Sequence, residues 1–423
     1  MKNLVKKYSY LSYQNNVLYA SGVSIESSIK NIKTPFFVFL PEHFKDNYDH
    51  LKESLSKNIP NLMISYAVKA NYLGRVLSVA KNIGMGVEIM SMFELKLAVK
   101  CGFTAKDIIF NGPAKTEEEL KLSSDLGIDR VNVDSLNELK LIEKISEKSD
   151  KIQHITVRIH PNLSKETEKR MLIKKNSKLG IDFARAVKLY RYASESPFLE
   201  PLGVHVHVGT NIASHSFYEE LLRFLDDYIK ELEQNHRILI KEINLGGGLT
   251  SRSELESNGF SLEKLGSQIT DTISNIDNKL ILFELGRYFV GDSFIAITKV
   301  LRTKKTWGRK WAFTDIGANS LIPMRYTNYE VLPMQDKGKG QYCRIGGPLC
   351  LPVDVLSKES VDFKIEEEDY LVILNCGAYT LSMSEQFGYP RPAVYELQES
   401  GLLKIIKSAD NLETMVNEAF QFG

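Results

Sequence analysis

The feature that most constrains the fold is a regular alternation of short apolar runs with amphipathic stretches of helical periodicity, from about residue 35 to residue 295. Strands separated by helices form parallel sheets, and eight is the number of strands that closes into a barrel. We therefore predict an α/β fold, a (β/α)8 TIM barrel over residues 35–295. The eight expected strands are 63–68, 86–90, 107–110, 130–133, 154–159, 203–208, 242–245 and 280–283.

Sequence patterns at helix starts agree with this alternation. Ser91 and Ser135 are each followed three residues later by a glutamate. In this capping-box pattern, serine and glutamate satisfy free N–H groups of the first helical turn. Residues 218–234 carry apolar side chains at helical spacing, which predicts a long amphipathic helix.

The pattern changes after about residue 295. Strand-like runs at 294–301, 311–314, 342–345 and 370–376 follow one another with Gly and Pro turns and few long helical periods. The first 34 residues also show strand-like alternation. We therefore expect a second, β-rich domain, a sandwich or barrel, formed by residues 1–34 and 296–423.

Charge and cysteine content narrow the classes of partner. The chain has 54 Lys and Arg against 53 Asp and Glu, a net charge of +1, so we expect neither nucleic acid nor a membrane as partner. It has no run of about 18 apolar residues, and its first residues lack the apolar core of a signal peptide. The four cysteines show no CxxC or zinc-type spacing, which predicts reduced thiols, no metal site and a cytoplasmic location.

In a barrel of this kind, functional residues lie just past the carboxyl ends of the strands. Glycines after the seventh and eighth strands match the usual phosphate site of barrels, where bare backbone N–H groups approach an anion. A lysine after the first strand, facing such a site, indicates pyridoxal phosphate bound as a Schiff base. The residues at these strand ends are Lys69, Glu88, His207, Thr210, Gly246, Gly247, Gly248, Glu284, Gly286 and Arg287.

Each of these residues also has a purely structural interpretation. A lysine after a strand is commonly a surface residue, and a triple glycine is commonly a tight turn. His207 alone is better explained as a hydrogen-bonded core residue, and Glu284 with Arg287 as an ion pair at the barrel rim. Their joint occurrence at one end of one barrel favours the functional interpretation.

Six segments with distinctive residues follow one another along the chain. They are Tyr66-Ala67-Val68-Lys69-Ala70-Asn71, His205-Val206-His207-Val208-Gly209-Thr210, Asn244-Leu245-Gly246-Gly247-Gly248, Glu284-Leu285-Gly286-Arg287, Gly347-Pro348-Leu349-Cys350 with Asp354, and Gly377-Ala378-Tyr379. Together they resemble the fold-type III pyridoxal-phosphate decarboxylases, the diaminopimelate/ornithine/arginine decarboxylase family. The resemblance spans nearly the whole chain, whereas any single segment would be a weak match.

The resemblance implies a role for each matching residue. Lys69 would hold the cofactor covalently, His207 would stack on its ring, and Glu284 would keep the ring nitrogen protonated, so that the ring accepts the electrons left by loss of CO2. Cys350 would donate the proton at the substrate Cα from a loop that reaches the neighbouring subunit's site, which implies a homodimer with shared active sites. The other cofactor contacts would come from Glu88, Thr210, Gly246, Gly247, Gly248, Gly286, Arg287 and Tyr379.

Two departures from the family pattern concern the substrate. The residue after the loop cysteine is acidic in the lysine-forming and ornithine-type enzymes and recognises the distal amine, but here it is Leu351. The usual arginine-proline pair is also missing; Pro323 stands near the place of that arginine, for which Arg325 is a partial substitute. We expect the substrate site to include Arg287, Leu351, Asp354 and Arg325.

These departures bear on the substrate class. A leucine cannot pair with an ammonium, so free diaminopimelate and ornithine are disfavoured. The residues around Cys350 and Glu284 are more similar to the natural-product and siderophore branch, whose members decarboxylate amino acids joined to a carrier protein or to another acid. We therefore expect a pyridoxal-phosphate-dependent decarboxylase of an amino acid or an amino-acid conjugate. A diaminopimelate decarboxylase of lysine biosynthesis is the alternative.

Two other classes fit less well. Amino-acid racemases of the same fold lack a cysteine loop of this kind and usually present an arginine to the ring nitrogen, where this chain has Glu284. A non-catalytic regulatory homologue is disfavoured because Lys69, His207, Glu284 and Cys350 occur together.

Overall fold

The computed structural model describes residues 2–170, 177–321, 329–357 and 360–420. The chain divides into two units. The barrel unit comprises Asn47–Thr250 and Leu255–Tyr288, and the β unit comprises Met1–Asp46, Ser251–Glu254 and Phe289–Gly423.

The described residues form twenty strands and fourteen α-helices. In chain order the strands are β1 (Leu11–Gln14), β2 (Val17–Ala20), β3 (Val23–Ser24), β4 (Phe36–Phe39), β5 (Leu62–Ala67), β6 (Gly86–Ile89), β7 (Ile108–Phe110), β8 (Arg130–Val133), β9 (Gln153–Arg158), β10 (Leu199–His205), β11 (Glu242–Asn244), β12 (Leu280–Leu285), β13 (Phe294–Thr306), β14 (Arg309–Thr314), β15 (Glu330–Pro333), β16 (Lys339–Gly346), β17 (Val361–Phe363), β18 (Tyr370–Leu374), β19 (Ala393–Leu397) and β20 (Leu403–Lys407).

The helices are α1 (Lys2–Lys7), α2 (Ile25–Ser28), α3 (Pro41–Ser56), α4 (Gly74–Asn82), α5 (Met92–Lys100), α6 (Glu117–Leu126), α7 (Leu136–Ser149), α8 (Lys165–Arg170), α9 (Phe183–Glu195), α10 (His215–His236), α11 (Arg252–Ser257), α12 (Leu262–Thr272), α13 (Arg287–Val290) and α14 (Leu412–Ala419). Short 3₁₀ helices cover Val68–Ala70, Ala105–Asp107 and Ile276–Asn278. Among the described residues, no helix is both long enough and apolar enough to cross a membrane.

Strands β5 to β12 form a closed parallel barrel, each paired with the next in the chain and β12 paired back onto β5. These are the eight strands expected from the sequence, with ends displaced by a few residues at most, and the TIM-barrel prediction is confirmed. Parallel barrel strands are covered by helices outside and filled by side chains inside. Accordingly, β6 and β7 are buried at every position.

The helices α5 and α7 begin where the capping boxes predict. Ser91 Oγ accepts the N–H of Glu94, and Ser135 Oγ accepts the N–H of Glu138, both at 3.3 Å. Each glutamate carboxylate in turn accepts the N–H of the residue just before its serine, at 2.7 Å for Glu94 and 2.8 Å for Glu138. The capping box thus extends one residue towards the preceding strand and ties the helix start to the strand end.

The β unit contains a nine-stranded sheet and a three-stranded sheet, β1-β2-β3. The large sheet has the order β17-β16-β14-β13-β4-β19-β20, and β18 pairs with β13 and β15. The long strand β13 joins two parts of this sheet, because its first half pairs with β4 and β18 and its second half with β14. A β-rich second unit is what the sequence predicts, and its core includes Leu18, Phe36, Ile297, Leu332 and Val372.

Strand β4 belongs to the β unit, although the sequence analysis assigned residues from 35 onwards to the barrel. It pairs antiparallel with β13 and parallel with β19, and all four of its residues are buried. A strand buried on both faces shows no alternation of apolar and polar residues. Its sequence therefore indicates a buried strand without indicating the sheet, and long-range pairing decides the assignment.

Candidate active site

Lys69 follows the first barrel strand, at the point where the backbone turns from β5 into the 3₁₀ helix Val68–Ala70. The neighbouring strand β6 places Glu88 opposite Ala67. Lys69 Nζ donates to Glu88 Oε2 at 2.5 Å. The Glu88 side chain is fully buried, whereas 26% of the Lys69 side chain is exposed, so the amine stays accessible at the carboxyl end of the barrel.

Three asparagine side chains donate to Glu284 inside the barrel, and one of them also donates to Glu88. Asn111 Nδ2 donates to Glu88 Oε1 and to Glu284 Oε2, each at 2.8 Å. Asn132 Nδ2 donates to Asn111 Oδ1 at 2.5 Å and to Glu284 Oε1 at 3.2 Å. Asn244 Nδ2 donates to Glu284 Oε1 at 2.6 Å. Amide donors of this kind favour the ionised form of the carboxylates that they contact.

Glu284 is the last residue but one of strand β12 and is buried. Its Oε2 lies 3.4 Å from His205 Nε2, at an ion-pair distance but without hydrogen-bond geometry. Burial alone would raise the pKa of Glu284, but the proximity of His205 and Lys69 and the hydrogen bond from Asn244 outweigh burial and hold this pKa well below its usual range. Glu284 is therefore an anion that can accept a hydrogen bond from a protonated nitrogen.

His207 follows strand β10 and is neutral. Its Nδ1 accepts the N–H of Gly247 at 2.9 Å, which assigns the ring proton to Nε2. Burial, and then the positive charges of Lys69 and Arg158, lower the pKa of His207 to about 3. A neutral ring adds no further positive charge beside Lys69.

The loop after β11 leaves no room for side chains at three successive positions. A Cβ on Gly246 or Gly247 would lie 2.4 or 2.5 Å from a backbone oxygen of an adjacent strand end. A Cβ on Gly248 would lie 2.9 Å from the Ile212 side chain. The loop therefore brings bare backbone to the carboxyl end of the barrel.

Two of the three amides in this loop donate within the protein. The N–H of Gly246 donates to Asn244 Oδ1 and that of Gly247 to His207 Nδ1, both at 2.9 Å. These bonds fasten the loop to the ends of β10 and β11. Its first two glycines therefore shape the site, and their N–H groups are already engaged.

Thr210 and Arg287 lie at the same end of the barrel. Thr210 is in the loop after β10, and Arg287, 5% exposed, comes two residues after β12. Between β12 and Arg287, a Cβ on Gly286 would lie 2.5 Å from the Cβ of Ala70. Glycine at this position lets the ends of the eighth and first strands pack directly against each other.

Glu94 is a second carboxylate close to the Lys69–Glu88 pair. Burial, and then the charge of Glu88, raise the pKa of Glu94 to about 7, and the N–H of Met90 together with Lys69 offsets only part of this increase. Glu94 therefore changes charge near neutral pH while it caps α5.

Cys350, Leu351 and Asp354 lie in the β unit, on the loop that follows β16. Cys350 is an exposed free thiol, and Leu351 is 36% exposed. Asp354 is 5% exposed, and its carboxylate accepts the N–H of Ala318 at 2.7 Å and that of Leu349 at 2.8 Å. These two bonds let the Asp354 carboxylate, which we expect near the substrate, organise the loop that presents Cys350.

Tyr379 lies in the segment after β18, with a positive φ of 65°. Near it, Gly377 packs so closely that an added Cβ would lie 1.8 Å from Val290 O. Arg325, the fourth expected substrate residue, lies outside the described residues.

The family is decided by a match over most of the barrel. A family model for the pyridoxal binding domain of pyridoxal-dependent decarboxylases matches residues 45–291, which is more than half of the chain. The chain belongs to the pyridoxal-dependent decarboxylases.

Relatives of known activity extend this decarboxylase family assignment to the whole chain. The diaminopimelate decarboxylase of Aquifex aeolicus is 31% identical over 418 residues, 98% of each chain. The L-glutamyl-[BtrI acyl-carrier protein] decarboxylase of Niallia circulans is 26% identical over 415 residues, 94% of this chain and 96% of the relative. The crystal structure of diaminopimelate decarboxylase from M. jannaschii superposes with a TM-score of 0.91 at 26% identity, over 99% of both chains. This chain is an amino-acid decarboxylase whose cofactor is pyridoxal phosphate.

The barrel residues of this decarboxylase fit that cofactor. They combine an accessible lysine, an anionic carboxylate, a neutral imidazole and a loop of bare backbone. Glu284 is surrounded by Asn111, Asn132, His205 and Asn244. Asn111 is at a predicted strand end and His205 and Asn244 are in the distinctive segments, but no role was predicted for any of the four. The signal that could have found them is a polar side chain in an otherwise apolar barrel strand or at its end.

Proposed function

We propose that this decarboxylase removes the α-carboxylate of an amino acid whose distal end is joined to another group as an amide, ester or thioester. The observation that carries the proposal is Leu351, directly after Cys350. A pocket that selects a free distal ammonium needs a carboxylate, because an unpaired buried charge costs several kcal/mol. A substrate with a neutral distal linkage has no such charge, and an apolar side chain suits it.

The charge and exposure of each barrel residue support the role that we propose for it in binding the cofactor. Pyridoxal phosphate, when bound, supplies a ring that accepts the electrons released as CO2 leaves. We propose Lys69 as its covalent attachment point and Glu88 as the group that holds this amine in place. Glu284 would accept a hydrogen bond from the ring nitrogen, and His207 would lie against the ring.

We assign phosphate binding to the strand-end loops and to the β unit. Bare backbone at the glycine loop makes room for a bulky anion, and Arg287 adds a cation. The residues proposed are Thr210, Gly246, Gly247, Gly248, Gly286, Arg287 and Tyr379.

We propose Cys350 as the donor of the proton that replaces the carboxylate at Cα. Its thiol is exposed, and Asp354 holds the loop that carries it. An exposed catalytic loop suits a homodimer with shared active sites, in which each subunit completes its neighbour's site. All four cysteines are free thiols, which suits the reducing cytoplasm that we propose as the location.

A second candidate is diaminopimelate decarboxylation. It is favoured by the 31% identity with the Aquifex aeolicus enzyme over 98% of each chain, whereas the carrier-protein decarboxylase is 26% identical. Under this alternative, a group other than Leu351 would pair with the distal end of the substrate, and Arg325 is the cation proposed to contribute there.

The test compares wild type with Leu351→Asp on free diaminopimelate, free ornithine and an acylated or carrier-linked amino acid, by release of CO2. We expect wild type to prefer the conjugate. In Leu351→Asp, an unpaired carboxylate beside a neutral chain should cost about 1–3 kcal/mol, or about 5- to 150-fold in kcat/KM. The matched control is Val353→Asp on the same loop, at a position 73% exposed, which should change kcat/KM little. Efficient wild-type turnover of free diaminopimelate would overturn the proposal in favour of the second candidate.

A further inference from the structure

One face of the sheet formed by β13, β14 and β16 concentrates cations and aromatic rings. Arg302 pairs with Phe313, and Lys304 pairs with Trp311, across β13 and β14. Trp311 in turn pairs with Arg344 of β16. Paired residues on adjacent strands point to the same face. The alternate residues of these strands form the opposite, buried face: Ala312, Cys343 and Ile345.

We call this group the outer sheet face: Arg302, Lys304, Arg309, Trp311, Phe313 and Arg344. The rings of Trp311 and Phe313 are stacked, with centroids 6.1 Å apart and planes at 14°. Lys304 Nζ lies 5.0 Å from the centroid of Phe313. At the hairpin tip beside this face, Trp307 is 100% exposed.

Acidic residues compensate only part of the charge on this face. Arg302 lies 3.9 Å from Glu367, and Asp362 is on the adjacent strand β17. In the part of the chain that the structure describes, neither Lys304 nor Arg309 has an acidic partner within salt-bridge distance. Because the whole chain has a net charge of only +1, this surplus is local to the face.

We propose that the outer sheet face docks an acidic carrier protein that delivers the substrate, an inference that rests on the proposed function. Aromatic and arginine side chains supply the anchoring contacts typical of protein interfaces, and a cationic rim selects an acidic partner. A nucleic-acid duplex fits this face less well, since duplex binding needs a broad basic field.

The position of the outer sheet face within the β unit suits delivery of a carrier-bound substrate to the loop of Cys350. Strand β14 rises about 17 Å from Arg309 to Thr314 at 3.3 Å per residue. Gly346 pairs with Phe313 near the end of β14, and the loop of Cys350 starts directly after Gly346. A carrier seated on the outer sheet face therefore lies along strands that lead to that loop, so a cargo on a flexible arm can extend towards Cys350.

The test uses Lys304→Glu/Arg309→Glu, with Lys188→Glu/Lys404→Glu as a control of equal charge change at exposed positions. Binding is measured to an acyl-carrier protein without cargo, to a DNA duplex and to a second copy of the chain. Turnover is measured on an aminoacyl-carrier protein and on a small acylated amino acid. We expect the outer-face variant to lose about tenfold or more in carrier affinity and in kcat/KM on the carrier-linked substrate, with an effect that weakens at high salt.

On the small acylated amino acid, the outer-face variant should match wild type, which shows that it folds and that its active site is intact. Equal carrier affinity in the outer-face and control variants, no wild-type binding of the carrier, or a loss confined to DNA binding or self-association would each overturn docking. If wild type turns over neither conjugate, the proposed function fails, while the binding comparison still decides docking on its own.

Discussion

At the scale of single residues, Asn111 is the amide that contacts both buried carboxylates, Glu88 and Glu284. Its one amide nitrogen donates to both Glu88 and Glu284, each at 2.8 Å, so both protons of the amide are engaged with buried carboxylates. It therefore satisfies two buried carboxylates at once and links Glu88, the partner of Lys69, to Glu284.

Replacing this amide should be costly. Asn111→Ala leaves two buried carboxylates each short of a donor, and we expect a loss of about 2–4 kcal/mol in the free energy of unfolding. The matched control is Asn235→Ala, which removes an exposed amide that donates to Glu231 at 2.6 Å; its loss should stay below about 1 kcal/mol. Denaturant unfolding of both variants measures the difference, and equal losses would contradict the assigned role of Asn111.

Glu94 predicts a pH dependence of stability. Its pKa of about 7 lies above that of a glutamate in the unfolded chain, so between about pH 4.5 and 7 the native state binds a proton that the unfolded state has released. Stability should therefore fall as pH rises through this window. Glu94→Gln removes this dependence. The difference in free energy of unfolding between Glu94→Gln and wild type should therefore favour the variant more at pH 8 than at pH 5, by up to about 3 kcal/mol.

Glu119→Gln is the control with the opposite sign. Glu119 has the same place in the capping box of α6. Burial opposes ionisation of Glu119, but hydrogen bonds from Thr116 and Met92 outweigh burial and lower its pKa. Its contribution is present above the unfolded pKa and is lost as pH falls, so Glu119→Gln should reduce stability at pH 8. Melting temperatures of both variants, measured from pH 5 to 8, check these two opposite effects. Changes in melting temperature in the same direction for both variants at pH 8 would contradict them.

The sequence predicts the strand-end residues well and their neighbours poorly. Lys69 and Glu284 follow predicted strands and His207 lies near the end of one, and barrel geometry brings such positions to one end. The hydrogen bond of Asn132 to Glu284 crosses the barrel from β8 to β12, and that of Asn244 joins the paired strands β11 and β12. Their partners depend on tertiary register, which local sequence patterns do not contain.

At the scale of elements, the close approach of two segments requires glycine at Gly377. A Cβ there would lie 1.8 Å from Val290 O, and its N–H donates to Gly291 O at 3.0 Å. We expect Gly377→Ala to destabilise the protein by about 1–3 kcal/mol, because backbone must move to admit the methyl group.

Gly74→Ala is the matched control for this substitution. Gly74 begins helix α4, and a Cβ there would lie 4.0 Å from Cys101 Sγ, an ordinary van der Waals distance. Alanine at a helical position without a clash should stabilise the protein by about 0.5–1 kcal/mol. Thermal unfolding of the two variants should therefore shift in opposite directions, and a neutral Gly377→Ala would show that the segments are free to separate.

Hydrophobic periodicity predicts some of the strands fully and others only in part. The eight barrel strands were predictable because apolar runs and helical periods alternate. Strand β13 was expected to end at residue 301 but continues to Thr306. Its last residues are polar and exposed, and they are ordered as a strand by pairing with β14, which a search for apolar runs misses.

At the scale of the whole molecule, one lysine among many is the proposed attachment point of the cofactor. The side chains of Lys115 and Lys279 are buried. Lys115 Nζ donates to Glu138 and two carbonyls, and Lys279 Nζ donates to Glu233 and one carbonyl. Lys69 differs because it is partly exposed and lies at the barrel end that also carries Glu284 and the glycine loop.

The most direct test of this choice is to locate the cofactor on the chain. Holoenzyme is reduced with borohydride, digested and analysed by mass spectrometry, with Lys69→Ala treated in parallel. We predict that the added mass of the reduced cofactor lies on the peptide containing Lys69 and is absent from Lys69→Ala. Cofactor mass on any other lysine of the wild-type chain, or an unchanged yield in Lys69→Ala, would contradict the assignment of the active site.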